Sequence, residues 1–485
     1  MLAFVVGIVG RLATFAGQPL WFDETFTGVI ATQPDLPHFY RWVVMELGGP
    51  VYYGLVWLWQ SVAGASNASL RFPSLLFSVA TLFIAARNRV LDQSVRMVLV
   101  ALLSLAMTGY LQSAEARSYA LLTLVALVQA LAFLALLREP VLRKAAIWVG
   151  LSCLAILIHY HAAVVSLMQG LLYLGYRRRR ALETWPALFA LLPAIVWGDL
   201  QFAFLSAYAA PGSNWYVVLP ASALWLLLPA TIPFGILAYV LCVLSLWPLA
   251  RNLLARLRQG PARAGVPSGA VGPDRDAAPG LTALSGVLAA LLIVLVGMIV
   301  PSFTVRYLVP ATPAILLGMA LGLAALHRVR PLIVEAALLL LTVFSAVFWM
   351  RLMHYNGTLK PLNFEPASAW VMANGDPRRV VFFWDNPTGD ISGEDHLAEV
   401  GNFFFTREGR PMQIAIPRGM GRDADPNGPL RQLAGPGGAV IWLVDKSVPG
   451  TRAIRHPETF TSDPAWYCRK FGKDRLHVLA CLPSN

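Results

Sequence analysis

The sequence predicts an α-helical polytopic membrane protein with about eleven transmembrane helices, additional interfacial helices and a small C-terminal α/β domain outside the membrane. Three observations lead there. Hydrophobic residues make up 57% of the 485 residues and charged residues only 13%, against roughly 25% charge in soluble domains. The basic residues behind the net charge of +12 fall in short clusters between apolar runs. The long apolar runs stop after residue 350. A chain this apolar cannot bury its surface in one aqueous core, which excludes a disordered chain, a fibrous protein and an ordinary cytosolic enzyme.

The expected spans lie near residues 2–18, 70–86, 97–113, 119–137, 145–159, 161–176, 184–200, 228–248, 281–300, 308–326 and 331–350. Each is close to the roughly 20 apolar residues that a bilayer demands, the shorter ones relying on ends buried in protein. The first could be read as a signal peptide with a small-residue site at Ala16-Gly17, but it has no basic leading region. The run from Pro50 to Gly64 is left out of the crossings. If it crossed, the Arg177–Arg180 run would face outward. Placed as an interfacial or re-entrant helix, with Tyr52, Tyr53, Trp57 and Trp59 at the membrane boundary, it puts every basic cluster inside: Arg87, Arg89 and Arg96; Arg138, Arg143 and Lys144; Arg177 to Arg180; Arg251, Arg256, Arg258 and Arg263; Arg328 and Arg330. That is the positive-inside pattern. It sets the N-terminus inside and the C-terminus outside, in an inner (plasma) membrane, and it replaces the nucleic-acid reading that a basic chain invites: no nucleic-acid partner is expected.

Residues 259–280, rich in Gly, Pro and Ala, read as a cytoplasmic linker. The boundary near 350 divides a membrane domain (1–350) from an extracytoplasmic domain (351–485). In the latter, short apolar runs at 380–384, 402–405, 413–416, 439–444 and 476–480 read as buried strands, and 367–373 as a helix. Cys468 and Cys481 lie there, where an oxidising compartment would permit a disulfide. Cys153 and Cys242 sit in apolar runs and read as small hydrophobes.

With that topology the unusual polar residues fall on the outer side. Asp23 and Glu24 follow the first span, and Arg71 opens the second. Glu115 and Arg117 follow the third, His159 and His161 sit at an outer turn, and Arg306 with Tyr307 at another. Singly, each has a plain reading: loop charges, an Arg snorkelling to lipid phosphate, packing histidines, an exposed Glu–Arg pair of little worth, an interfacial anchor. Their convergence on one face from distant parts of the chain suits glycosyl transfer from a lipid phosphate. Such a reaction needs a carboxylate to take a hydroxyl proton and guanidiniums to hold the departing phosphate. A prenyl tail needs an apolar groove beside them. The chain lacks the Gly-rich Rossmann fingerprint and the Walker loop, so a nucleotide-bound donor has no support.

These residues carry a resemblance. Trp21-Phe-Asp23-Glu24, then Gly49-Pro50-Val-Tyr52-Tyr53, then Leu70-Arg71-Phe-Pro73-Ser74, followed by Gln112-Ser-Ala-Glu115-Ala-Arg117-Ser-Tyr119 and Arg306-Tyr307-Leu-Val-Pro310, resemble in order and spacing the lipid-phosphate-sugar-dependent glycosyltransferases of the GT-C superfamily. The flavour is that of its bacterial galacturonosyl- and aminoarabinose-transferase-like branch, related to protein O-mannosyltransferases. The resemblance covers about residues 1–350. It implies that Asp23 is the catalytic base with Glu24 beside it, Glu115 the second acidic residue and Arg306 the partner of the donor phosphate. Arg71, Arg117, Tyr52, Tyr53, His159, His161 and Tyr307 would line the substrate site. The implied partners are a polyprenyl-phosphate sugar donor, an extracytoplasmic acceptor (a cell-envelope glycan, lipid or protein) and membrane lipids. No cofactor is assigned; a divalent metal ion would find carboxylates and imidazoles at the site, although their spacing matches no zinc motif. One departure is plain: many relatives have His-Pro-Pro before the Tyr pair, whereas this chain has Gly48-Gly49-Pro50. The rival reading is a transporter or flippase of lipid-linked glycans. Such proteins favour internal repeats and midplane polar sites, and this chain has no evident repeat.

Overall fold

The computed structural model describes residues 1–14, 18–210, 218–221, 274–355, 362–385, 393–417, 427–445, 460–473 and 476–484. The chain opens with α1 (Leu2–Thr14) and three further helices, α2 (Phe22–Ala31), α3 (Leu36–Val43) and α4 (Pro50–Ala63). There follow α5 (Asn67–Arg87), α6 (Gln93–Leu105), α7 (Met107–Ser113), α8 (Tyr119–Arg138), α9 (Leu142–Ile156), α10 (Ala162–Arg177) and the short α11 (Arg179–Glu183). A 3₁₀ segment (Trp185–Leu191) leads into α12 (Leu192–Ala209). Next come α13 (Asp274–Gly297), a 3₁₀ segment (Val305–Ala311), α14 (Thr312–Val329) and α15 (Pro331–Tyr355).

Among the described residues six helical segments are long and apolar enough to cross a membrane: Asn67–Arg87, Tyr119–Arg138, Trp185–Ala209, Ala277–Gly297, Val305–Val329 and Pro331–Arg351. The chain is a multi-pass membrane protein. Of the expected spans, 228–248 lies outside the described residues, as does the linker stretch 259–273; residues 274–280, expected as linker, instead begin α13. Helix α4 is a separate element of 14 residues, short of the roughly 20 a crossing requires. Phe189, Ile195 and Phe202 stand exposed on the α12 segment and Leu332, Leu340 and Phe344 on α15, an outward apolar surface suited to lipid.

The expected span 97–113 is broken at Ala106, whose backbone is extended (φ −60°, ψ 115°). The break is compensated from α1. Arg11, 2% exposed, donates Nη2 to the Leu103 carbonyl (2.9 Å), Nη1 to the Ser104 carbonyl (3.1 Å) and Nε to Ser78 Oγ (2.8 Å). Leu103 and Ser104 lie in the last turn of α6, where carbonyls lack intrahelical partners. In an apolar medium those oxygens need another donor. The guanidinium supplies it, and α7 begins directly after the break and leads into the 114–118 loop.

The C-terminal residues form a small sheet domain: α16 (Glu365–Asn374), β1 (Arg379–Trp384), α17 (Glu394–Arg407), β2 (Gln413–Ala415), α18 (Asn427–Ala434), β3 (Ala439–Asp445), β4 (Trp466–Lys473) and β5 (Leu476–Pro483). Strand order is β2-β1-β3-β5-β4, with β1 parallel to β2 and β3, and β5 antiparallel to β3 and β4. The expected strand at 402–405 is helical instead. His396, Leu397, Val400, Gly401, Phe403 and Phe404 are buried at the three- and four-residue spacing of a helix face, and a short apolar run read alone does not reveal that period. Cys468 and Cys481 face each other across β4 and β5 and are bonded; Cys153 is free and buried.

The domain sits on α2 as part of one core. Phe22 packs against Trp384 and Phe364, with ring centroids 4.5 and 6.2 Å apart. Gly28 lies so close to Phe403 that a Cβ would fall 2.5 Å from its ring. Glu399 accepts from Trp42 Nε1 (2.6 Å) and Gln33 Nε2 (2.9 Å) and pairs with Arg41.

Replacing Arg11 by Leu is expected to lower stability by about 2–4 kcal/mol, because several buried acceptors lose their donor at once. Arg11→Lys should recover only part of it, which thermal unfolding in detergent would show.

Candidate active site

Two neighbouring carboxylates leave the start of α2 in opposite directions. Trp21 is extended (φ −83°, ψ 171°) ahead of α2, and Asp23 and Glu24 occupy the first helical turn, where the positive end of the helix favours negative charge. Glu24 points inward. Its Oε2 accepts from the Trp21 amide (3.1 Å), closing the helix start, and its Oε1 from the Ala116 amide (2.8 Å). Arg71 grips it with two bonds, Nε to Oε1 at 2.7 Å and Nη2 to Oε2 at 2.6 Å. The remaining donors of Arg71 reach the carbonyls of Gln18 (2.5 Å) and Pro19 (2.9 Å). Both side chains are essentially sealed, at 0% and 2% exposure.

Asp23 points the other way. Its Oδ2 accepts from Arg306 Nη1 at 2.9 Å, and the two side chains are 31% and 33% exposed. Arg117 donates Nη1 to the Asp23 backbone carbonyl (3.1 Å). Glu115 lies close enough for its charge to act on Arg306. Arg306 stacks over the rings of Trp21 and Tyr119, 5.1 and 5.7 Å from their centroids, so the cation is held on aromatic faces as well as by the carboxylate.

An aromatic wall adjoins this pair. His161 stacks on Tyr307 at 4.0 Å with an interplanar angle of 18°. His159, 5% exposed, lies 5.2 Å from Tyr307 and 5.8 Å from Tyr119. The histidine turn is held by α4's leading residues: the amides of Gly49 and Val51 donate to Ile158 O (3.1 Å) and Leu157 O (3.3 Å), and Gly48 bridges to His159. A Cβ on Gly49 would lie 1.9 Å from the Leu157 carbonyl, and one on Gly48 3.2 Å from the Tyr53 ring. Gly49 therefore lets the 157–161 turn close onto the start of α4, and a side chain at position 48 would crowd Tyr53. Paired residues in a bridge present side chains to the same side, so His159 stands on the side where a residue-48 side chain would project.

Of the sequence-derived candidates, the structure brings Asp23, Glu115, Arg117, His159, His161, Arg306 and Tyr307 together. It sets Glu24 and Arg71 beneath them as a buried pair. Tyr52 is buried against Ser74 (Oη to Oγ 3.3 Å). Tyr53 donates to Glu46 Oε2 at 3.0 Å. Glu46 itself escaped the sequence reading. Its Oε2 is 3.8 Å from Arg117 Nη2, with only 12% of the side chain exposed. Burial pushes its carboxyl above the ordinary range; Arg117 and the Tyr53 hydroxyl pull it back in part, and Asp23 adds to the rise. Among the described residues no three His, Cys, Asp or Glu side chains gather as a metal site. Asp23 is engaged by Arg306 and Glu46 by Tyr53.

The fold and this polar cluster define a multi-pass helical membrane protein that carries a small C-terminal sheet domain. The fold is similar to crystal structures of ArnT from Cupriavidus metallidurans, one in the apo state (TM-score 0.55) and one bound to undecaprenyl phosphate (TM-score 0.51). Sequence identity is 13% in both, and the match covers 99% of this chain and 97% and 96% of those chains. The sequence matches no protein-family model and no curated protein.

Glu24→Gln or Arg71→Met should destabilise the protein by about 3–5 kcal/mol, since each strands a buried charge; thermal unfolding in detergent reads this directly. Glu46 carries a pH signature. Its folded-state carboxyl holds a proton to higher pH than the unfolded one, so the folded state binds more protons in that window and stability falls as pH rises through it. Glu46→Gln, which copies the neutral form, should flatten that decline in unfolding scans taken from pH 4 upward.

Proposed function

We propose that this protein is an inverting membrane glycosyltransferase that moves a sugar from a polyprenyl-phosphate donor to an extracytoplasmic acceptor, in the manner of the aminoarabinose- and galacturonosyl-transferase-like branch. The observation that carries this is the half-exposed Asp23–Arg306 pair, flanked by Arg117, inside an ArnT-like fold. The structural neighbour bound to undecaprenyl phosphate supports a lipid phosphate as the donor's carrier. The positive-inside pattern supports an inner membrane with the site and the C-terminal domain outside, and the sheet domain supports the division near residue 350.

In this reading Asp23 is the base. Before the donor binds, Arg306 neutralises it. A phosphate entering the pocket offers the guanidinium a better bidentate partner, which leaves the carboxylate free to take the proton of the acceptor hydroxyl. The acceptor oxygen then bonds to the anomeric carbon as the bond from that carbon to the phosphate oxygen breaks. The electron pair leaves with the polyprenyl phosphate. Arg306 and Arg117 face the charge that gathers on the departing phosphate. His161 and Tyr307, stacked together, offer a flat wall for the sugar, and His159 supplies an imidazole where the motif's own histidine is lost. Glu115 supports Arg306. Glu24 and Arg71 do not touch substrate; they fix the backbone on which Asp23 stands.

The test is transfer of labelled sugar from polyprenyl-phosphate donors by the reconstituted protein. Asp23→Asn should slow transfer by about 10²–10⁴-fold, the usual worth of a positioned base, with no loss of thermal stability. Transfer as fast as the wild type would remove Asp23 from its role. Arg306→Ala should lower the rate by about 10²–10³-fold, the scale of one lost charge-stabilising group.

A further inference from the structure

The C-terminal domain reaches the segment that carries Asp23 at one polar junction. Glu365, at the first turn of α16, accepts the Leu20 amide on Oε2 at 2.9 Å. Its two oxygens also accept from Asn67 Nδ2 at 3.1 and 3.0 Å. Arg407, in the last turn of α17, closes the set by donating Nη2 to Glu365 Oε1 (2.5 Å) and Nη1 to Asn67 Oδ1 (2.6 Å). Asn67 Nδ2 reaches the Gln18 carbonyl as well, at 3.3 Å. The backbone of residues 18–20 is thus gripped from the membrane side by Arg71 on Gln18 O and Pro19 O and from the outer domain by Glu365. Eight residues beyond Leu20, Phe403 of α17 presses on Gly28, so the same domain bears on both ends of the stretch that holds Asp23.

None of these groups approaches the Asp23–Arg306 pair, and a separate acceptor-binding module would have no need to hydrogen-bond this backbone. We infer that Glu365 and Arg407 are positioning residues of the membrane-borne site, and that the outer domain serves as a strap setting Asp23 against Arg306. This rests on the reading of Asp23 as the base. Its leverage is geometric: a displacement of about 1 Å in a reacting group costs on the order of 100-fold in rate.

The full-length protein in nanodiscs tests it through two readouts, one of which needs no substrate. Amide hydrogen exchange followed by mass spectrometry should show peptides spanning 18–26 exchanging at least about tenfold faster in Glu365→Ala, a local opening, while peptides of α8 and the sheet keep their wild-type rates. In the transfer assay kcat should fall by about 10–100-fold with the donor KM held within about threefold. Glu365→Gln, which keeps an acceptor for the Leu20 amide, should recover most of the rate and carries the test if Glu365→Ala fails to fold. In an Asp23→Asn background Glu365→Ala should cost nothing further, since it acts through Asp23. Unchanged exchange at 18–26 overturns the strap, as does a loosened segment with undiminished kcat or a full additional loss in the Asp23→Asn background. A wild-type protein inactive with every polyprenyl-phosphate donor would count against the proposed function instead, and the exchange experiment would still decide whether Glu365 orders this segment.

Discussion

The bidentate bond between Glu24 and Arg71 is the constraint on which the outer face depends. It joins the segment after α1, the start of α5 and the loop before α8 in one buried node, since Glu24 takes the Ala116 amide and Arg71 takes the Gln18 and Pro19 carbonyls. A buried ion pair of this sort is weak evidence for net stability, because desolvation offsets much of the attraction. Its value lies in specificity of arrangement. The observed placement of the three segments satisfies these donors and acceptors together and leaves Asp23 on the opposite side of the helix start, facing Arg306.

Asp23 and Glu24 show how environment separates two adjacent acids. Both sit in the first turn of α2 and both meet an Arg. One has every carboxylate oxygen spoken for by fixed groups at near-zero exposure. The other keeps about a third of its surface open and meets a guanidinium that is itself about a third exposed. The aromatic faces of Trp21 and Tyr119 hold Arg306 in place beside it. Around them Glu46, Tyr53 and Arg117 form a second polar chain that links the α3–α4 turn to the Asp23 backbone.

The sequence made the membrane class legible, and it made the charged residues between the apolar runs conspicuous, because intramembrane charges are rare. Four of the five expected strands also emerged where apolar runs were bounded by turn residues. Other features left no local signal. Glu46 sits in an unremarkable turn and becomes part of the site only through folding. Arg11 was hidden in an otherwise apolar first helix, and its purpose depends on a break some 90 residues later, beyond the reach of any window of hydropathy. The Phe403–Phe405 run misled because three adjacent aromatics satisfy a buried strand and a buried helix equally well; the helix wins by docking on Gly28. β4 went unnoticed since its middle is basic and polar, as befits an edge strand.

The contact of Gly28 with Phe403 bears on how this architecture is inherited. A ring from the outer domain fills the space where α2 has no side chain, so the two surfaces are matched knob to notch. A bulkier residue at position 28 is tolerated only if position 403 shrinks with it. A chimera that exchanges the C-terminal domain must therefore carry α2 along, and Asp23 with it. Modular in appearance, the two halves share a single buried core.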